Sequence, residues 1–87
     1  MGWFVYYLYS QKLDKYYLGK TNNLARRLDE HNRGSEVYTK LGYPWLLIGY
    51  IECNDSIEAA KIERNLKKAK NKIYVRRFIA QHGKIIE

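Results

Sequence analysis

The sequence is poor in the residues that several common kinds of protein depend on. Cys53 is the only cysteine, which excludes an internal disulfide and a cluster of thiolate metal ligands. A chain without disulfides suits a reducing compartment. There is no signal-peptide pattern and no run of about 18 apolar residues. We therefore expect a soluble protein of the cytoplasm that does not span a membrane.

Proline is equally scarce, with one residue in 87, whereas there are nine tyrosines and 46% of the residues are hydrophobic. This composition favours a globule over a disordered chain. A chain of this length fits one domain, residues 1–87, and leaves no room for a second.

Acidic residues are also few: nine Asp and Glu stand against 16 Lys and Arg, for a net charge of +7. The excess is concentrated in residues 61–77, where eight basic residues accompany Glu63 alone. Such a concentration suits a polyanion such as nucleic acid. It is equally typical of a solvated basic helix face, and charge alone leaves both interpretations open.

The apolar pattern predicts three strands and three helices. Residues 3–10, 16–20 and 45–53 are short, apolar and rich in aromatic or β-branched side chains, as strands are. Helical periodicity covers residues 24–32 and 56–69, and a last helix starts near Asn71. We therefore predict a single small α/β domain with the order β-β-α-β-α-α. Its three-stranded, mainly antiparallel sheet is flanked by helices.

Punctuating residues set the predicted ends of these elements. Asp55 or Ser56 caps the second helix, and Glu58 lies three residues after Asp55 as in a capping box. Gly34 and Gly83 are placed to stop the first and last helices. On the last helix we expect Tyr74, Val75, Phe78 and Ile79 to face inward.

Gly19-Lys20-Thr21 is similar to the end of a nucleotide-binding phosphate loop. That loop needs another glycine five positions earlier, where this chain has Asp14, so a nucleotide triphosphatase is rejected. A glycine before a helix start still lets backbone amides approach a phosphate. An ordinary strand–turn–helix junction uses the same residues.

The ordered motifs resemble those of the GIY-YIG nuclease superfamily. Phe4-Val5-Tyr6 and Tyr17-Leu18-Gly19 stand where its two naming motifs would be. The similarity continues in order through about residues 3–80, in the segments Lys20–Leu24, Arg26–Leu28, His31-Asn32, Tyr38-Thr39, Pro44-Trp45, Ser56–Ala59 and Glu63. It is closest to small stand-alone members, which are similar to the nuclease domain of the bacterial excision-repair incision subunit. Phe4 and Val5 depart from the family's Gly and Ile, and Asn71 is the nearest counterpart of a later asparagine.

The resemblance implies a role for each matching residue. A tyrosine, Tyr6 or Tyr17, accepts the proton of the attacking water, with a slight preference for Tyr6. Lys20 assists that tyrosine, since a nearby cation favours the phenolate. Arg27 stabilises the transition-state charge. His31 relays a proton or orients a ligand.

The resemblance also implies that Glu63 binds one divalent cation, Mg²⁺ or Mn²⁺, which accepts one or two carboxylates in such sites. The predicted contacts to nucleic acid are Arg26, Lys61, Arg64, Lys67 and Lys68. Each residue also has a purely structural interpretation: sheet tyrosines, a packing histidine, and a helix ion pair from Glu63 to Lys67.

The leading hypothesis is a metal-dependent endonuclease acting on DNA, with a role in repair or recombination suggested by analogy. The alternative is a basic binding module without catalysis, or a nuclease domain that needs a protein partner. A monomer is favoured. The choice between DNA and RNA stays open at this point.

Overall fold

Three long strands and three helices make up most of the molecule. The computed structural model describes residues 2–34 and 39–86. The long strands are β1 (Trp3–Ser10), β2 (Lys15–Thr21) and β3 (Trp45–Cys53), and the helices are α1 (Leu24–Asn32), α2 (Ser56–Ala69) and α3 (Lys72–His82). A single 3₁₀ turn, Lys40–Gly42, precedes β3, and a short strand β4, Lys84–Ile85, follows α3. The predicted α/β class and element order are confirmed. None of the helices in the described ranges is apolar over a membrane-spanning length.

The sheet has four antiparallel strands in the order β2-β1-β3-β4, one more than predicted. The added strand β4 is two residues long, too short for any alternating pattern to appear in the sequence. Gly83 allows the chain to turn into it, because a Cβ at this position would overlap the carbonyl oxygen of Tyr50. β2 is therefore one edge of the sheet and β4 the other.

Side-chain caps begin all three helices. Asn23 accepts a hydrogen bond from the backbone N–H of Arg26 at 3.0 Å, and Asp55 accepts one from Glu58 at 2.8 Å. Asn71 caps α3 by accepting from the backbone N–H groups of Ile73 and Tyr74. Each such cap contributes about 1 kcal/mol by satisfying amides that have no partner within the helix. The predicted helix starts at Asp55 and Asn71 are confirmed.

The sheet is covered by helices on both faces. Val5 and Tyr7 of β1 pack in one apolar cluster with buried residues of α2 and α3. Tyr6 and Leu8, which alternate with them, pack in a second cluster with Leu24 and Leu28 of α1. The alternation of β1 therefore sends Tyr6 to the α1 side of the sheet.

The inward face of α3 differs from the prediction at one position. Val75 and Ile79 are buried, and Phe78 packs partly against them. Tyr74, in contrast, is 42% exposed, and its hydroxyl accepts a hydrogen bond from Asn65 of α2 at 3.4 Å. The inward assignment of Tyr74 was wrong, because the residue lies at the border of the apolar stripe.

Burial of Tyr7 makes the fold sensitive to alkaline pH. Its side chain is 4% exposed, and burial raises the pKa of its phenol from 10.0 to about 12. A raised pKa in the folded state stabilises the protein fully below the unfolded-state value, and that stabilisation is lost as pH rises through the folded-state value. We expect Tyr7→Phe to lose less stability than wild type between about pH 9 and about pH 12, by on the order of 2 kcal/mol.

The free energy of unfolding in urea at the two pH values measures this difference. Tyr74→Phe is the matched control, because the Tyr74 side chain is largely exposed. An equal loss of stability in Tyr7→Phe and wild type would contradict the prediction.

Candidate active site

The phenol of Tyr6 lies across the backbone of the edge strand. Tyr6 of β1 pairs directly with Gly19 of β2, and its side chain is 1% exposed. A Cβ atom at Gly19 would overlap the phenol oxygen of Tyr6. Glycine is therefore needed at position 19 for the phenol to occupy this place.

A chain of buried hydrogen bonds starts at the Tyr6 hydroxyl. The Nε–H of Arg27 donates to the Tyr6 oxygen at 3.3 Å, and that oxygen lies 2.9 Å from Nε2 of His31. His31 Nδ1 in turn lies 2.7 Å from Oγ1 of Thr39. With neutral His31, one consistent arrangement has the Tyr6 O–H donating to Nε2 and Nδ1–H donating to Thr39. α1 thus supplies two side chains that hold one phenol.

This environment favours the protonated form of Tyr6. Burial raises the pKa of Tyr6 from 10.0 to about 12, and the hydrogen bond from Arg27 opposes that rise only in part. The charges of Tyr17 and Glu63 raise the pKa further. Removing the proton at pH 7 would cost about 7 kcal/mol. Glu63 makes the smallest of these contributions to the Tyr6 pKa.

Tyr17 shares this aromatic cluster but is less enclosed. It lies on the edge strand and is half-buried. Its ring centroid is 6.1 Å from that of Tyr6 and 4.9 Å from that of His31, both in edge-to-face geometry. The two phenols that the sequence pointed to therefore lie side by side.

Glu63 and Lys20 lie together on the α2 side of β2. Both line an open cavity of about 630 Å³, whose other lining residues are Ala60, Arg64, Lys67 and Lys68. The Glu63 carboxylate pairs with the ammonium of Lys67 at 3.0 Å, and the Glu63 side chain is 17% exposed. The ion pair suggested by the sequence is thus present, and the carboxylate also faces the basic cavity.

The donor set of this cavity fits a magnesium ion only in a shared site. Magnesium typically takes one or two protein carboxylates and completes its shell with waters and substrate phosphates. Glu63 is the one carboxylate lining the described cavity. In residues 2–34 and 39–86, no group of three or more His, Cys, Asp or Glu side chains could hold a metal by itself. A divalent ion would therefore need a phosphate oxygen beside Glu63.

The predicted nucleic-acid contacts divide between two faces. Lys67 and Lys68 line the cavity with Glu63, and Lys61 lines an adjoining cavity of about 530 Å³. Lys20 and Arg64 line both, so these basic residues form one continuous surface. Arg26 lies apart on α1, where its side chain is 60% exposed and 3.9 Å from Glu30.

Thr39 and Trp45 hold the cluster in place. Thr39 is fully buried, contacts His31 as described, and accepts a hydrogen bond at its carbonyl from the indole N–H of Trp45 at 2.7 Å. The sequence resemblance included Thr39 without a role, because a loop residue eight positions from His31 gives no periodic signal. Tyr38, its neighbour in that motif, lies outside the described residues. The side-chain oxygen of Asn71, the counterpart of the family's later asparagine, accepts the two hydrogen bonds that cap α3.

The close approach at Gly19 leads to a direct prediction. A methyl group there would push the Tyr6 phenol away from Arg27 and His31. We expect Gly19→Ala to lower the stability by about 1–3 kcal/mol, the range for overpacking a core site. Thermal unfolding of Gly19→Ala measures this loss. Gly34→Ala is the comparison, because alanine there is strained by the positive φ of +76° and not by a close side-chain contact. A smaller loss from Gly19→Ala in a Tyr6→Leu background, which removes the ring atoms that the methyl group would meet, would confirm the contact; an equal loss in both backgrounds would contradict it.

Comparison with known proteins gives this arrangement a family. The sequence profile of the GIY-YIG catalytic domain matches residues 2–78. A UPF0213 protein from Desulfotalea psychrophila is 39% identical over 70 residues, which cover 77% of this chain and 62% of the relative. The match thus spans less than two thirds of that relative's length. No solved structure matches the chain significantly. The matched profile covers both tyrosine motifs, α1 and Glu63, and on this basis the chain belongs to the GIY-YIG catalytic domain family.

Proposed function

We propose that this protein is a metal-dependent endonuclease that hydrolyses phosphodiester bonds in DNA. The observation that carries the proposal is that edge strand β2 has the hydrogen-bonded Tyr6–Arg27–His31 cluster on its α1 side and the basic cavity with Glu63 on its α2 side. The charge of Glu63 makes a small contribution to the raised pKa of Tyr6. Because the match spans less than two thirds of the relative's length, we also propose, and do not take from that relative, the activity, substrate and partners of the whole protein.

Arg27 is the group we assign to the scissile phosphate. Its guanidinium is positioned by Tyr6 through Nε and by Glu30 through Nη1 at 3.0 Å, and its side chain is 27% exposed. A fixed planar guanidinium stabilises the charge that builds on the non-bridging oxygens more than a mobile ammonium does. The Tyr6 hydroxyl is thus a positioning group for this residue.

We assign the proton-accepting role to Tyr17 rather than Tyr6. Tyr6 is 1% exposed, and burial raises its pKa to about 12, which is the wrong direction for a base. Tyr17 is half-buried and lies on edge strand β2 beside Tyr6 and His31, where an attacking water can reach its hydroxyl. His31 contacts both rings and orients them. The slight sequence-based preference for Tyr6 is therefore replaced by this proposal.

Glu63 would hold one divalent cation, Mg²⁺ or Mn²⁺, together with a phosphate oxygen. When bound, such an ion neutralises negative charge and stabilises the leaving oxygen. Lys20, Arg64, Lys67 and Lys68 bind the phosphates on either side, since they line the same cavity. The chain's own contribution is to bring the backbone of the substrate to Glu63.

A cleavage assay tests the proposal. Purified protein is incubated with nicked, branched and intact duplex DNA in Mg²⁺ or Mn²⁺, and the products are resolved on denaturing gels. We expect cleavage of at least one substrate that is lost in Arg27→Ala and retained in Arg33→Ala, a residue paired with Asp29 outside the cluster. Cleavage unchanged in Arg27→Ala would contradict the assigned site.

The basic cavities also support a second candidate, a DNA-binding module without catalysis. Its observation is the continuous surface formed by Lys20, Lys61, Arg64, Lys67 and Lys68. Salt-dependent binding without cutting in either metal would favour this candidate. Cutting that appears only when a protein partner is added would instead favour a nuclease domain that needs a partner for activity.

A further inference from the structure

A cavity of different character lies beside the proposed catalytic groups. It has a volume of about 410 Å³, within the range of small-ligand sites. Its wall is apolar and aromatic, and its rim is cationic. Its lining includes Tyr7, Tyr16, Tyr17, Lys67, Lys70 and Lys72. Within the described part of the chain, no acidic side chain lines it.

A stacked pair of tyrosines, Tyr7 and Tyr16, provides a flat surface in this cavity, with ring centroids 4.9 Å apart and an interplanar angle of 14°. Tyr9, which does not line the cavity, packs against Tyr16 at 4.7 Å with a tilt of 43°. Tyr16 remains 39% exposed, and the ammonium of Lys72 lies 5.5 Å from its ring centre. A flat aromatic surface next to cations is the combination that binds a nucleobase and its phosphate.

Lys70 adds a charge at the rim at a conformational cost. It ends α2 in the left-handed conformation, with φ 52° and ψ 35°. Helices usually place glycine there, because a side chain in this conformation costs about 1–2 kcal/mol. A lysine held in this strained conformation at the edge of a cavity is consistent with a role for its charge.

This cavity is continuous with the proposed active site. Lys67 lines it and also lines the cavity of Glu63, with which it pairs. Tyr17 lines it as well. A DNA strand with one phosphate at Glu63 would therefore have a neighbouring nucleotide within reach of Tyr16. A base held in an intact duplex is paired and stacked, and cannot enter.

From these observations we infer that the tyrosine–lysine cavity binds an unpaired base of DNA next to the scissile phosphate. The substrate class is then single-stranded or branched DNA, rather than an uninterrupted duplex. This inference rests on the proposed nuclease function for the position of the scissile phosphate. The cavity itself is tested by binding alone.

The experiment compares two fluorescent single strands of equal length, one with normal nucleotides and one with abasic sites throughout. Both carry the same phosphates, so only the first can place a base on Tyr16. Binding to the whole protein is measured by fluorescence anisotropy in EDTA, which prevents metal-dependent cleavage. We expect wild type to bind the normal strand roughly tenfold more tightly, from base–aromatic stacking.

Two pairs of variants separate the base contact from the charge. Tyr16→Leu, which keeps apolar packing, should abolish the preference for the normal strand. Tyr74→Leu, at a tyrosine of similar exposure outside the cavity, should retain it. In Lys70→Asn the new residue tolerates the left-handed backbone. This variant should bind both strands more weakly and should reduce the slope of log affinity against log salt concentration by about 0.7. Lys84→Asn, on the opposite edge of the sheet, should leave that slope unchanged.

Equal binding of the two strands by wild type, or an undiminished preference in folded Tyr16→Leu, would overturn the inference. The cleavage assay distinguishes failure of the cavity assignment from failure of the nuclease proposal. Cleavage together with equal binding of both strands overturns the cavity assignment alone. A base preference without cleavage in either metal refutes the nuclease proposal but supports the base-binding cavity.

Discussion

Tyr17→Phe should fold normally and cleave DNA roughly a hundred- to ten-thousandfold more slowly than wild type, the range for loss of a general base. The substitution removes only the phenolic oxygen and keeps the ring contacts with Tyr6 and His31. Single-turnover cleavage measures the rate, and urea unfolding measures the stability. Tyr17→Phe cleaving within a few fold of wild type would contradict the assigned proton acceptor.

The neighbouring variant Tyr6→Phe gives the matched comparison. It should lower the stability by about 1–3 kcal/mol, because His31 and Arg27 lose a buried hydrogen-bond partner. Its cleavage should also slow, through misplacement of Arg27. The two roles predict different patterns: Tyr17→Phe should affect mainly the rate of cleavage, whereas Tyr6→Phe should affect both the rate and the stability. The reverse pattern would exchange the two assignments.

Glu63→Gln should slow cleavage by roughly a thousandfold, because the amide keeps the shape of the side chain but loses the charge that holds a divalent ion. Stability should fall by less than about 1 kcal/mol, since the pair with Lys67 is partly exposed. Glu52→Gln removes an equal charge at an exposed position of β3 and should leave the rate unchanged.

The same variants separate a metal role from a structural ion pair. Mn²⁺ binding to protein with uncleavable phosphorothioate DNA is measured by electron paramagnetic resonance. Glu63→Gln should weaken it strongly, and Glu52→Gln should not. If Glu63→Gln loses stability but keeps both Mn²⁺ binding and cleavage, the ion pair with Lys67 is its whole role.

The fold was largely predictable because strong local signals specify its elements. The aromatic run of β1, the Asn and Asp caps, and the spacing of Ala59, Leu66, Val75 and Ile79 agree with the packing observed. β4 was not predictable, since two residues cannot show a pattern and its pairing depends on the close approach at Gly83. Tyr74 was misassigned because periodicity alone does not resolve the border of an apolar stripe.

Sequence motifs could single out candidate site residues, but they could not show how these residues differ in burial and contacts. The ordered motifs singled out Tyr6, Tyr17, Arg27 and Glu63. Sequence could not show that one phenol is buried and the other more accessible, because that difference comes from the edge position of β2 and the cover provided by α1. Nor could it show that Thr39 contacts His31, since the two residues meet only through the folded loop.

The most direct measurement is a crystal structure of Tyr17→Phe bound to nicked DNA and Mn²⁺, with the metal located by anomalous scattering. We expect a manganese peak at the Glu63 carboxylate, shared with a DNA phosphate that also contacts Arg27. A manganese ion distant from Glu63, or DNA bound with its phosphates away from both Glu63 and Arg27, would contradict the proposed chemistry.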